Sequence, residues 1–434
     1  MQTFMWFEMV QMIDNLETWY EATATRDAAA LPLTQIISAD VCVVGGGLAG
    51  LTTCLELARR GLSVVLLERN LIGSGASGRN GGFVSSGFAL GMEDVERHVG
   101  ADAARELYAL SRRGTEFVRA EVAPADKMGD GWIVASRYDD RGGLKSHGEA
   151  MQRRYGEEVQ HYSVAETRAR LSSSRYFESL MFPKAFHIHP LRYCLSLAAK
   201  ARAAGAFIFE NSGVISSQKV GQDFVVKTAH GEVHARHVVH CVSSTGRDVH
   251  RLSGRAVLPV ATYIAVTEPL TQNSINTRSA IADTRRAGDY YRLIDEGRIL
   301  WGGRITTRVS EPSRLAERMK RDMLATYPAL GNPRIDHSWA GLMGYALHKM
   351  PLIGRDAEGQ WFATAFGGHG LNTTAMAGLI LASAIADGDD SYRRFVPFAP
   401  VWAFGQLGRL GVQGSYWLMQ IKDKRDESRL FSSP

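Results

Sequence analysis

Residues 40–68 show a strand, helix, strand pattern of apolar and polar positions. Residues 40–44 (DVCVV) form a short apolar run that ends in three glycines, and residues 48–60 carry apolar side chains at helical spacing. Residues 63–67 (SVVLL) form a second apolar run, which Glu68 ends. This order predicts a βαβ unit of about 30 residues.

The rest of the chain predicts further elements of both kinds. Helices are predicted at 91–122, 191–204, 313–327 and 372–387, and Gly205 ends the second of these. Strands are predicted at 132–135, 206–210, 238–242 and 361–365, with hairpin-like strands over 214–236 and a strand-rich region over 258–309. The tail, 394–434, has scattered aromatic and aliphatic residues, which we interpret as a packed extension with a polar end.

Two glycine-rich segments lie between these elements. Residues 73–82 (GSGASGRNGG) have too few large side chains to form a core element, and they predict a loop close to a ligand. Residues 366–370 (FGGHG) join a predicted strand to a helix rich in small residues. This second segment is either an ordinary strand-to-helix turn or a helix N-terminus aimed at a ligand.

Composition narrows the possible functions. The chain has 434 residues, of which 45% are hydrophobic and 22% charged, and these values are typical of globular proteins. The net charge is +5 and no basic run with interleaved aromatics occurs, so nucleic-acid binding is not predicted. No segment approaches the ~20 apolar residues of a membrane span, and the N-terminus is a poor signal peptide. We therefore expect a cytoplasmic protein with no membrane span.

The cysteines and histidines do not predict a metal site. Cys42, Cys54, Cys194 and Cys241 are widely spaced without a C-x-x-C pair, and we interpret them as reduced core thiols. Histidines at 187, 189, 234, 237 and 240 lack an accompanying carboxylate cluster, and in a strand those at 234 and 237 point to opposite faces.

The sequence GGGLAG at 45–50 contains the G-x-G-x-x-G pattern of dinucleotide sites. Gly45 permits a tight turn, Gly47 lets backbone amides approach a pyrophosphate, and Gly50 allows close helix–strand packing. The helix N-terminus attracts phosphate charge, and Glu68 would accept hydrogen bonds from ribose hydroxyls. The alternative is a structural turn in an unrelated α/β fold. NAD alone would leave the second glycine segment unexplained, so the pattern favours FAD.

Six segments together resemble the glycine/D-amino-acid oxidase (DAO) family of flavoproteins. They are GGGLAG at 45–50, ASGRNGG at 76–82, YYR at 290–292, GGR at 302–304, PLIG at 351–354 and GGHG at 367–370. The ASGRNGG stretch and Trp19-Tyr20 are most similar to its γ-glutamylputrescine oxidoreductase branch. The resemblance covers roughly residues 18–425. It implies a mixed α/β (α+β) fold, with a Rossmann-like FAD-binding domain interleaved with an antiparallel-sheet substrate domain.

The implied domain boundaries follow the alternation of the two patterns. The FAD-binding domain is assigned to 38–90, 186–255 and 340–393, and the substrate domain to 91–185 and 256–339, followed by the extension at 394–434.

The resemblance also implies which residues hold a noncovalent FAD. The ADP part is held by Gly45, Gly47, Leu48, Ala49, Gly50, Glu68 and Arg69, with backbone contacts from Val214 and Gly246. The isoalloxazine lies along Ser77, Gly78, Arg79, Asn80, Gly81 and Gly82. Its pyrimidine edge lies at Gly367, Gly368, His369, Gly370, Leu371 and Asn372. Residues 239–246 (VHCVSSTG) depart from the ATNA- or ATG-like strand end of relatives, so packing on the cofactor can differ there. Arg79 is either a cofactor-loop or a solvated arginine.

Five side chains are candidates for the reaction itself. His369, as a cation, would stabilise the reduced cofactor, although the alternative is a structural histidine bonded to backbone. Tyr291 and Arg292 alternate along a strand, and Tyr291 is the one expected to face the substrate. Trp301 and His348 are further candidates that packing explains equally well.

The implied reaction is FAD-dependent oxidation of an amine C–N bond, for γ-glutamylputrescine or a related amine. The product is an imine that hydrolyses to an aldehyde, with O2 giving H2O2, or an electron carrier, as acceptor. One alternative is an oxidase or dehydrogenase of a D-amino acid, glycine or sarcosine, in which Arg292 or Arg304 would bind the carboxylate. A flavin-containing binding protein without turnover is the other.

Overall fold

The computed structural model describes residues 17–246, 248–270 and 275–428, which form two β-sheets and the helices around them. The strands are β1 (Ile36–Val44), β2 (Val64–Leu67), β3 (Phe83–Val84), β4 (Lys127–Ala135), β5 (Gln160–Tyr162), β6 (Ser179–Ile188), β7 (Phe207–Phe209), β8 (Ser216–Val220), β9 (Asp223–Lys227), β10 (Glu232–His240), β11 (Leu258–Thr267), β12 (Ala280–Asp283), β13 (Tyr290–Leu293), β14 (Ile299–Thr306), β15 (Ile335–Tyr345), β16 (Leu352–Arg355) and β17 (Trp361–Thr364). The helices are α1 (Trp19–Thr23), α2 (Leu48–Arg59), α3 (Ala76–Arg79), α4 (Met92–Val99), α5 (Ala101–Glu121), α6 (Gly143–Tyr155), α7 (Val164–Leu171), α8 (Pro190–Ala203), α9 (Arg251–Ala256), α10 (Leu315–Thr326), α11 (Gly370–Ala386) and α12 (Gly405–Ser428). Within these ranges, no helix combines the length and the apolar character needed to cross a bilayer.

The first sheet is built around parallel strands. Its order is β16-β17-β10-β1-β2-β7, and β8 and β9 extend it through β10. β1 pairs in parallel with β2 and β10, and β7 and β17 continue the parallel pairing on either side. Because parallel strands end at the same edge of a sheet, residues 45–47, 68–70 and 241–243 come together there.

Alternating side chains of β1 bury both faces of this sheet. Val41 and Val43 belong to the core cluster that includes α2, and Cys42 and Val44 pack on the opposite face with Phe224 of β9. This double burial explains why residues 40–44 have no polar alternation after Asp40.

The second sheet is mainly antiparallel. Its order is β15-β11-β14-β13-β12-β4-β6-β3, with β5 on β6, and β12 and β4 form a parallel pair. We call the side that packs on α10 the outer face, which carries Tyr291 and Trp301. The opposite side is the inner face, which carries Tyr290 and Arg292 because side chains alternate along β13.

Several predicted elements differ in detail from the structure. The helix predicted at 91–122 is divided into α4 and α5 at Gly100, which has a φ of 84°. The strand predicted at 238–242 is the end of a longer strand, β10, which stops at His240. The loop at 73–82 contains one helical turn, α3.

The tail is more regular than predicted and less closely packed. It contains the 24-residue helix α12, on which the buried residues are Gln413 and Asp423. The mixed α/β fold is confirmed, while the residue boundaries of the two domains stay a prediction.

Candidate active site at the glycine loop

The predicted glycine fingerprint lies where β1 passes into α2. A Cβ at Gly50 would overlap the carbonyl oxygen of Gly45, and one at Gly45, whose φ is 110°, would lie 2.7 Å from the carbonyl oxygen of Cys241. A Cβ at Gly47 would lie 2.8 Å from the Ser77 Oγ. Strand, loop and helix therefore approach more closely than any side chain permits, as a bound pyrophosphate requires.

Glu68 ends β2 beside this loop. Its carboxylate accepts hydrogen bonds from the backbone N–H groups of Gly46, at 2.6 Å, and Asn70, at 2.8 Å. These bonds fix the carboxylate at the rim of the loop, in the position from which an acidic residue binds ribose hydroxyls.

The N-terminus of α2 has no side-chain cap of its own. Its N-cap residue is Gly47, and the N–H of Leu48 donates to the Ser77 Oγ at 2.9 Å. Ser77 thus brings the second glycine-rich segment onto the positive end of the helix dipole. This arrangement is a ready site for phosphate oxygens.

One long cleft joins these features. It has a volume of about 160 Å³ and runs from the ends of β1 and β2, past residues 73–79, to Ala340 and Leu342 on β15. The predicted cofactor residues that line it are Gly45, Gly47, Glu68, Arg69, Ser77, Arg79, Val214 and Gly246. The glycine cradle, the uncapped helix end and the carboxylate together fit the phosphates and ribose of FAD.

Other predicted residues of the loop at 77–82, which we call the cofactor loop, contact neighbouring groups of the protein. Gly78 lies against the Gly73 carbonyl, and Gly82 lies against Arg292 and the Ile188 carbonyl. Asn80 donates to the Ala76 and Ser77 carbonyls and accepts from the Gly82 N–H.

Arg79 is buried rather than solvated, with 5% of its surface exposed. Its Nε donates to the Ala340 carbonyl at 3.3 Å, and its own carbonyl accepts from the Trp339 Nε1 at 2.9 Å. Arg79 therefore ties the cofactor loop to β15 of the second sheet.

The structure does not place Tyr291 in the cleft. Its ring is fully buried on the outer face, stacked on Trp301 at a centroid distance of 4.3 Å. Its hydroxyl bonds to those of Tyr176, at 2.7 Å, and Tyr327, at 2.9 Å. The expectation that Tyr291 faces the substrate is corrected, because the pairing of β13 turns this side chain toward α10. Trp301 is a packing residue for the same reason.

Tyr290, which the sequence analysis did not single out, lies on the inner face instead. Its ring contacts Gly81 of the cofactor loop and Gly302 of β14, and its hydroxyl lies 3.3 Å from the Thr262 Oγ1. Strand alternation alone could have identified it as the alternative to Tyr291.

Arg292 is also on the inner face, but it is enclosed by protein. Its guanidinium donates to the Tyr20 hydroxyl at 3.0 Å, the Ile188 carbonyl at 2.9 Å and the His187 Nδ1 at 2.8 Å. The guanidinium packs against Gly82 of the cofactor loop, and these protein groups surround it. His348 packs its ring 5.7 Å from that of Phe398 and accepts from the Met350 N–H, outside the cleft.

His369 precedes α11 and lies at the second glycine segment, as predicted. Its Nε2 lies 3.1 Å from the Ser85 carbonyl and 3.2 Å from the Ser86 carbonyl, so this nitrogen carries the proton and donates. Burial lowers the pKa of His369 below its usual value, and the two carbonyls oppose that effect only in part. The lowered pKa and the two backbone bonds favour the alternative of a structural histidine, and the cationic role of His369 stays a prediction.

The N-terminus of α11 has no side-chain cap, and its residues do not line the long cleft. His369, its N-cap residue, makes no side-chain cap bond, so the first N–H groups of a 17-residue helix have no such acceptor. The ring of Tyr345 packs against Gly367 and Gly368, the two residues before His369. Tyr345 is a second residue that the sequence analysis missed, because only the fold brings β15 to this loop. Asn372 donates to the Gly87 carbonyl at 3.0 Å and holds α11 against the segment after β3.

A second cavity of about 260 Å³, which we call the side cavity, begins at His369 and Ser85. Apolar side chains such as Trp132 and Phe182 line its walls, and Tyr108 and Glu157 lie at its lining as polar groups. The Tyr108 hydroxyl donates to the Glu157 Oε2 at 2.8 Å, and that carboxylate lies 3.9 Å from the Arg112 Nη2. The side cavity was not predicted, since its residues come from six separate segments of the chain.

No group of three or more His, Cys, Asp or Glu side chains suited to a metal occurs among the residues that the structure describes. Cys42, Cys54 and Cys194 are free and buried, and Cys241 is free and partly buried in the wall of the cleft.

Known proteins match this chain over most of its length. It is 33% identical over 393 residues to the probable oxidoreductase OrdL of Haemophilus influenzae, covering 87% of this chain and 89% of that protein. It is 30% identical over 393 residues to the gamma-glutamylputrescine oxidoreductase of Escherichia coli, covering 88% and 92%. The crystal structure of glycine oxidase from Geobacillus kaustophilus superposes with a TM-score of 0.70 at 20% identity, over 84% of this chain and 99% of that one, and shares the fold.

The sequence profile of the FAD dependent oxidoreductases, DAO, matches residues 40–384. The match begins in β1 and ends in α11, so it contains both glycine segments and the whole FAD cleft. The chain therefore belongs to the DAO family and is an FAD-dependent oxidoreductase.

Proposed function

We propose that this enzyme oxidises the terminal C–N bond of γ-glutamylputrescine or a closely related amine. Two electrons and two protons leave the CH–NH2 group, which becomes an imine, and water then converts the imine into an aldehyde and ammonia. O2 accepts the electrons and protons and becomes H2O2. The observation that carries the proposal is the 30% identity to a gamma-glutamylputrescine oxidoreductase over 88% of the chain.

The side cavity supports a long, linear substrate. Its apolar walls suit a chain of methylene groups, and the Glu157 carboxylate, with 8% of the residue exposed, suits a cationic group at the end of such a chain. Lys184 also lines the cavity and could meet a substrate carboxylate. The γ-glutamyl part of the proposed substrate carries one ammonium and one carboxylate, so it matches both charges.

FAD supplies a two-electron acceptor for the hydride that the carbon beside the amine nitrogen gives up. The protein residues would hold the reacting groups in position. In this proposal the N-terminus of α11 directs its positive dipole end toward the pyrimidine edge of the flavin, which supports the negative charge of the reduced ring. His369 holds the second glycine segment in place through its bonds to the Ser85 and Ser86 carbonyls.

The amino-acid alternative lacks the arginines that were its candidates. Arg292 is enclosed by Tyr20, His187 and Ile188. Arg304 donates from Nε and Nη2 to both oxygens of Asp322. Neither guanidinium is available to bind a substrate carboxylate without losing buried or bidentate partners.

The proposal includes a noncovalent FAD in a cytoplasmic enzyme. Cys241 is the cysteine in the wall of the cleft, and burial raises the pKa of its thiol to about 12. A thiol that stays protonated is a poor nucleophile toward a flavin. Acid precipitation of the protein should therefore release all of the yellow colour into the supernatant, whereas a yellow pellet would contradict this part of the proposal.

Anaerobic stopped-flow mixing with γ-glutamylputrescine, putrescine, sarcosine and D-alanine tests the substrate. Bleaching of the flavin band by the γ-glutamyl conjugate alone is the expected result. Bleaching by an amino acid alone would instead support an amino-acid oxidase or dehydrogenase.

A pair of variants tests the role of the side cavity. Glu157→Gln should raise the KM for the conjugate by about tenfold or more, because a hydrogen bond to a charged group is lost. Glu149→Gln, at an exposed position of α6 outside the cavity lining, is the matched control and should leave KM unchanged. Equal KM values for the two variants would remove Glu157 from the site without excluding the substrate.

A further inference from the structure

Helix α12 exposes an apolar face to solvent. Its large exposed side chains are Leu407 (74%), Leu410 (70%), Trp417 (53%), Leu418 (62%) and Ile421 (62%). At 3.6 residues per turn, these five positions fall within an arc of about 100° on the helix. They form a continuous stripe rather than isolated apolar positions, and a stripe of this kind marks an interaction surface.

The opposite face of α12 is held to the protein by polar contacts. Asp423 accepts from the Arg286 Nη1 at 2.9 Å and from the backbone N–H groups of Arg286 and Ala287. Gln413 accepts from the Thr306 hydroxyl at 2.7 Å and the Thr307 N–H at 2.9 Å. The apolar stripe is therefore turned outward by the way the helix is anchored.

The charges of α12 are sorted between the same two faces. The acidic residues Asp426 and Glu427 join Asp423 in ion pairs with arginines of the body, Arg286, Arg137 and Arg285. The basic residues Lys422, Lys424 and Arg425 are exposed and have no ion-pair partner among the described residues. The outward surface of the helix is thus both apolar and positively charged.

Residues beside the helix extend this surface. Trp402 and Phe404, just before α12, are 59% and 51% exposed, with ring centroids 4.8 Å apart. Arg308 and Arg318 are exposed and line a cavity of about 450 Å³ together with Trp417. We call the exposed residues of α12 and these four neighbours the α12 surface.

We propose that the α12 surface docks on an anionic phospholipid membrane, with the helix lying in the plane of the headgroups. A lipid headgroup layer offers negative charge to the basic residues and acyl chains to the apolar stripe, and exposed tryptophans favour that boundary. A second copy of the same surface would instead place like charges against each other. The proposal goes beyond the proposed function and does not depend on the substrate.

The docked orientation would bring the lipid surface close to the second glycine segment at 366–370. Tyr416 is on the body side of α12, where burial and then the nearby Tyr345 hydroxyl raise its pKa, and the ring of Tyr345 packs on Gly367 and Gly368. The outward stripe is separated from that tyrosine pair by one helix, a diameter of about 10–12 Å. Membrane docking would therefore place this side of the reaction site next to the lipid phase.

Cosedimentation of the holoenzyme with vesicles tests the proposal. We expect binding to vesicles of phosphatidylcholine mixed with phosphatidylglycerol to be at least about tenfold tighter than to phosphatidylcholine alone. The variant Lys422→Gln/Lys424→Gln/Arg425→Gln should weaken binding to the anionic vesicles by about a hundredfold. The variant Leu410→Ser/Trp417→Ser/Leu418→Ser should weaken it by at least about tenfold.

Leu31→Ser is the matched control, because Leu31 is 79% exposed and lies outside the α12 surface. It should bind vesicles like the wild type, and unchanged flavin absorbance shows that each variant is folded. Equal binding to both kinds of vesicle would overturn the proposal. So would a dimer in sedimentation velocity that the leucine and tryptophan substitutions dissociate, with no vesicle binding, since that result would identify a second copy as the occupant.

Discussion

Gly50 lies at the closest approach between β1 and α2. Because a Cβ there would overlap the Gly45 carbonyl oxygen, Gly50→Ala forces the helix away from the strand and widens the phosphate cradle. Overpacking of this kind costs about 1–3 kcal/mol. We expect FAD binding to weaken by about 10- to 100-fold, measured as the ratio of flavin to protein absorbance after dialysis against known FAD concentrations.

Gly411→Ala is the control for that experiment, since a Cβ at Gly411 would meet no atom within 4 Å. It should keep the wild-type flavin content. A Gly50→Ala protein with full flavin content would show that the strand and helix can separate without loss of the cofactor, and would contradict the assignment of this loop.

Tyr290 and Tyr291 are neighbours with opposite surroundings, so matched hydroxyl deletions separate their roles. Tyr291→Phe leaves the buried hydroxyls of Tyr176 and Tyr327 without their shared partner, and should destabilise the protein by about 1–3 kcal/mol. Tyr290→Phe removes a hydroxyl that lies beside Thr262 on the inner face and should change the rate of flavin bleaching about fivefold.

Thermal unfolding and anaerobic reduction rates of both variants give the two readouts. We expect Tyr291→Phe to lower the melting temperature and to keep the bleaching rate. We expect Tyr290→Phe to keep the melting temperature and to change the bleaching rate. The opposite result would mean that Tyr291 acts on the substrate despite its burial.

The sequence predicts best those residues whose role follows from local backbone requirements. Gly45, Gly50 and Glu68 are recognisable because a tight turn, a close helix approach and a strand-end acid occur at fixed spacing. Tyr290 and Tyr291 are different, because alternation says only that they face opposite sides. Which of them faces the cofactor depends on the pairing of β13 with β12 and β14, and no local pattern contains that information.

At the scale of elements, α2 and α8 were predicted closely, whereas α12 was not identified as a helix. Its glycines at 405, 408, 411 and 414 lower its helix propensity, and its apolar residues point outward, so no core-facing periodicity is visible. Distant partners such as Arg286 and Thr306 hold the helix in place. Contacts of this kind cannot be read from the helix sequence.

Asp423 is the residue on which the carboxyl-terminal half of α12 most depends. Asp423→Ala removes the acceptor for the Arg286 side chain and for two backbone N–H groups, each a bond to a charged group worth about 1.5–3 kcal/mol. We expect limited proteolysis within 405–428 to become at least about tenfold faster, with the flavin spectrum unchanged. Lys422→Ala, the exposed neighbour, is the control and should be cleaved at the wild-type rate; equal cleavage of both variants would show that Asp423 does not anchor the helix.

At the scale of the whole molecule, the FAD cleft is assembled from segments that lie far apart in the chain. Its lining comes from 44–47, from 67–70 and 73–79, from Val214, from residues between 241 and 249, and from Ala340 and Leu342. Motif patterns identified the segments one by one, but the side cavity and the contacts of Tyr345 depend on how the two sheets pack together.

The same packing buries histidines in neutral form, which makes the stability of the whole molecule depend on pH. Burial lowers the pKa of His187 and of His189 to about 3 and that of His240 to about 4, and it also lowers those of His237, His348 and His369. In the unfolded chain these groups bind protons below about pH 6.5. Unfolding therefore takes up protons between pH 6.5 and about 3, and stability falls as the pH drops through that window.

Carboxyls whose pKa is raised by burial act in the opposite direction, and they include Asp126, Asp289 and Glu311. Burial raises the pKa of Asp289 to about 6, so at pH 5.5 the folded protein holds a proton there that the unfolded chain releases. The histidines outnumber these carboxyls, and we expect a net uptake of about two protons or more on unfolding at pH 5.5. Calorimetric unfolding in buffers of different ionisation enthalpy measures this uptake directly.

His240→Gln isolates one of these histidines. The His240 Nε2 donates to the Gln360 side chain at 2.8 Å inside the first sheet, and glutamine keeps a donor there without a titrating ring. The variant should take up about one proton fewer than the wild type at pH 5.5, and the two proteins should agree at pH 8, where histidines are neutral in both states. An unchanged uptake at pH 5.5 would mean that His240 is already protonated in the folded protein, and that its burial does not keep it neutral.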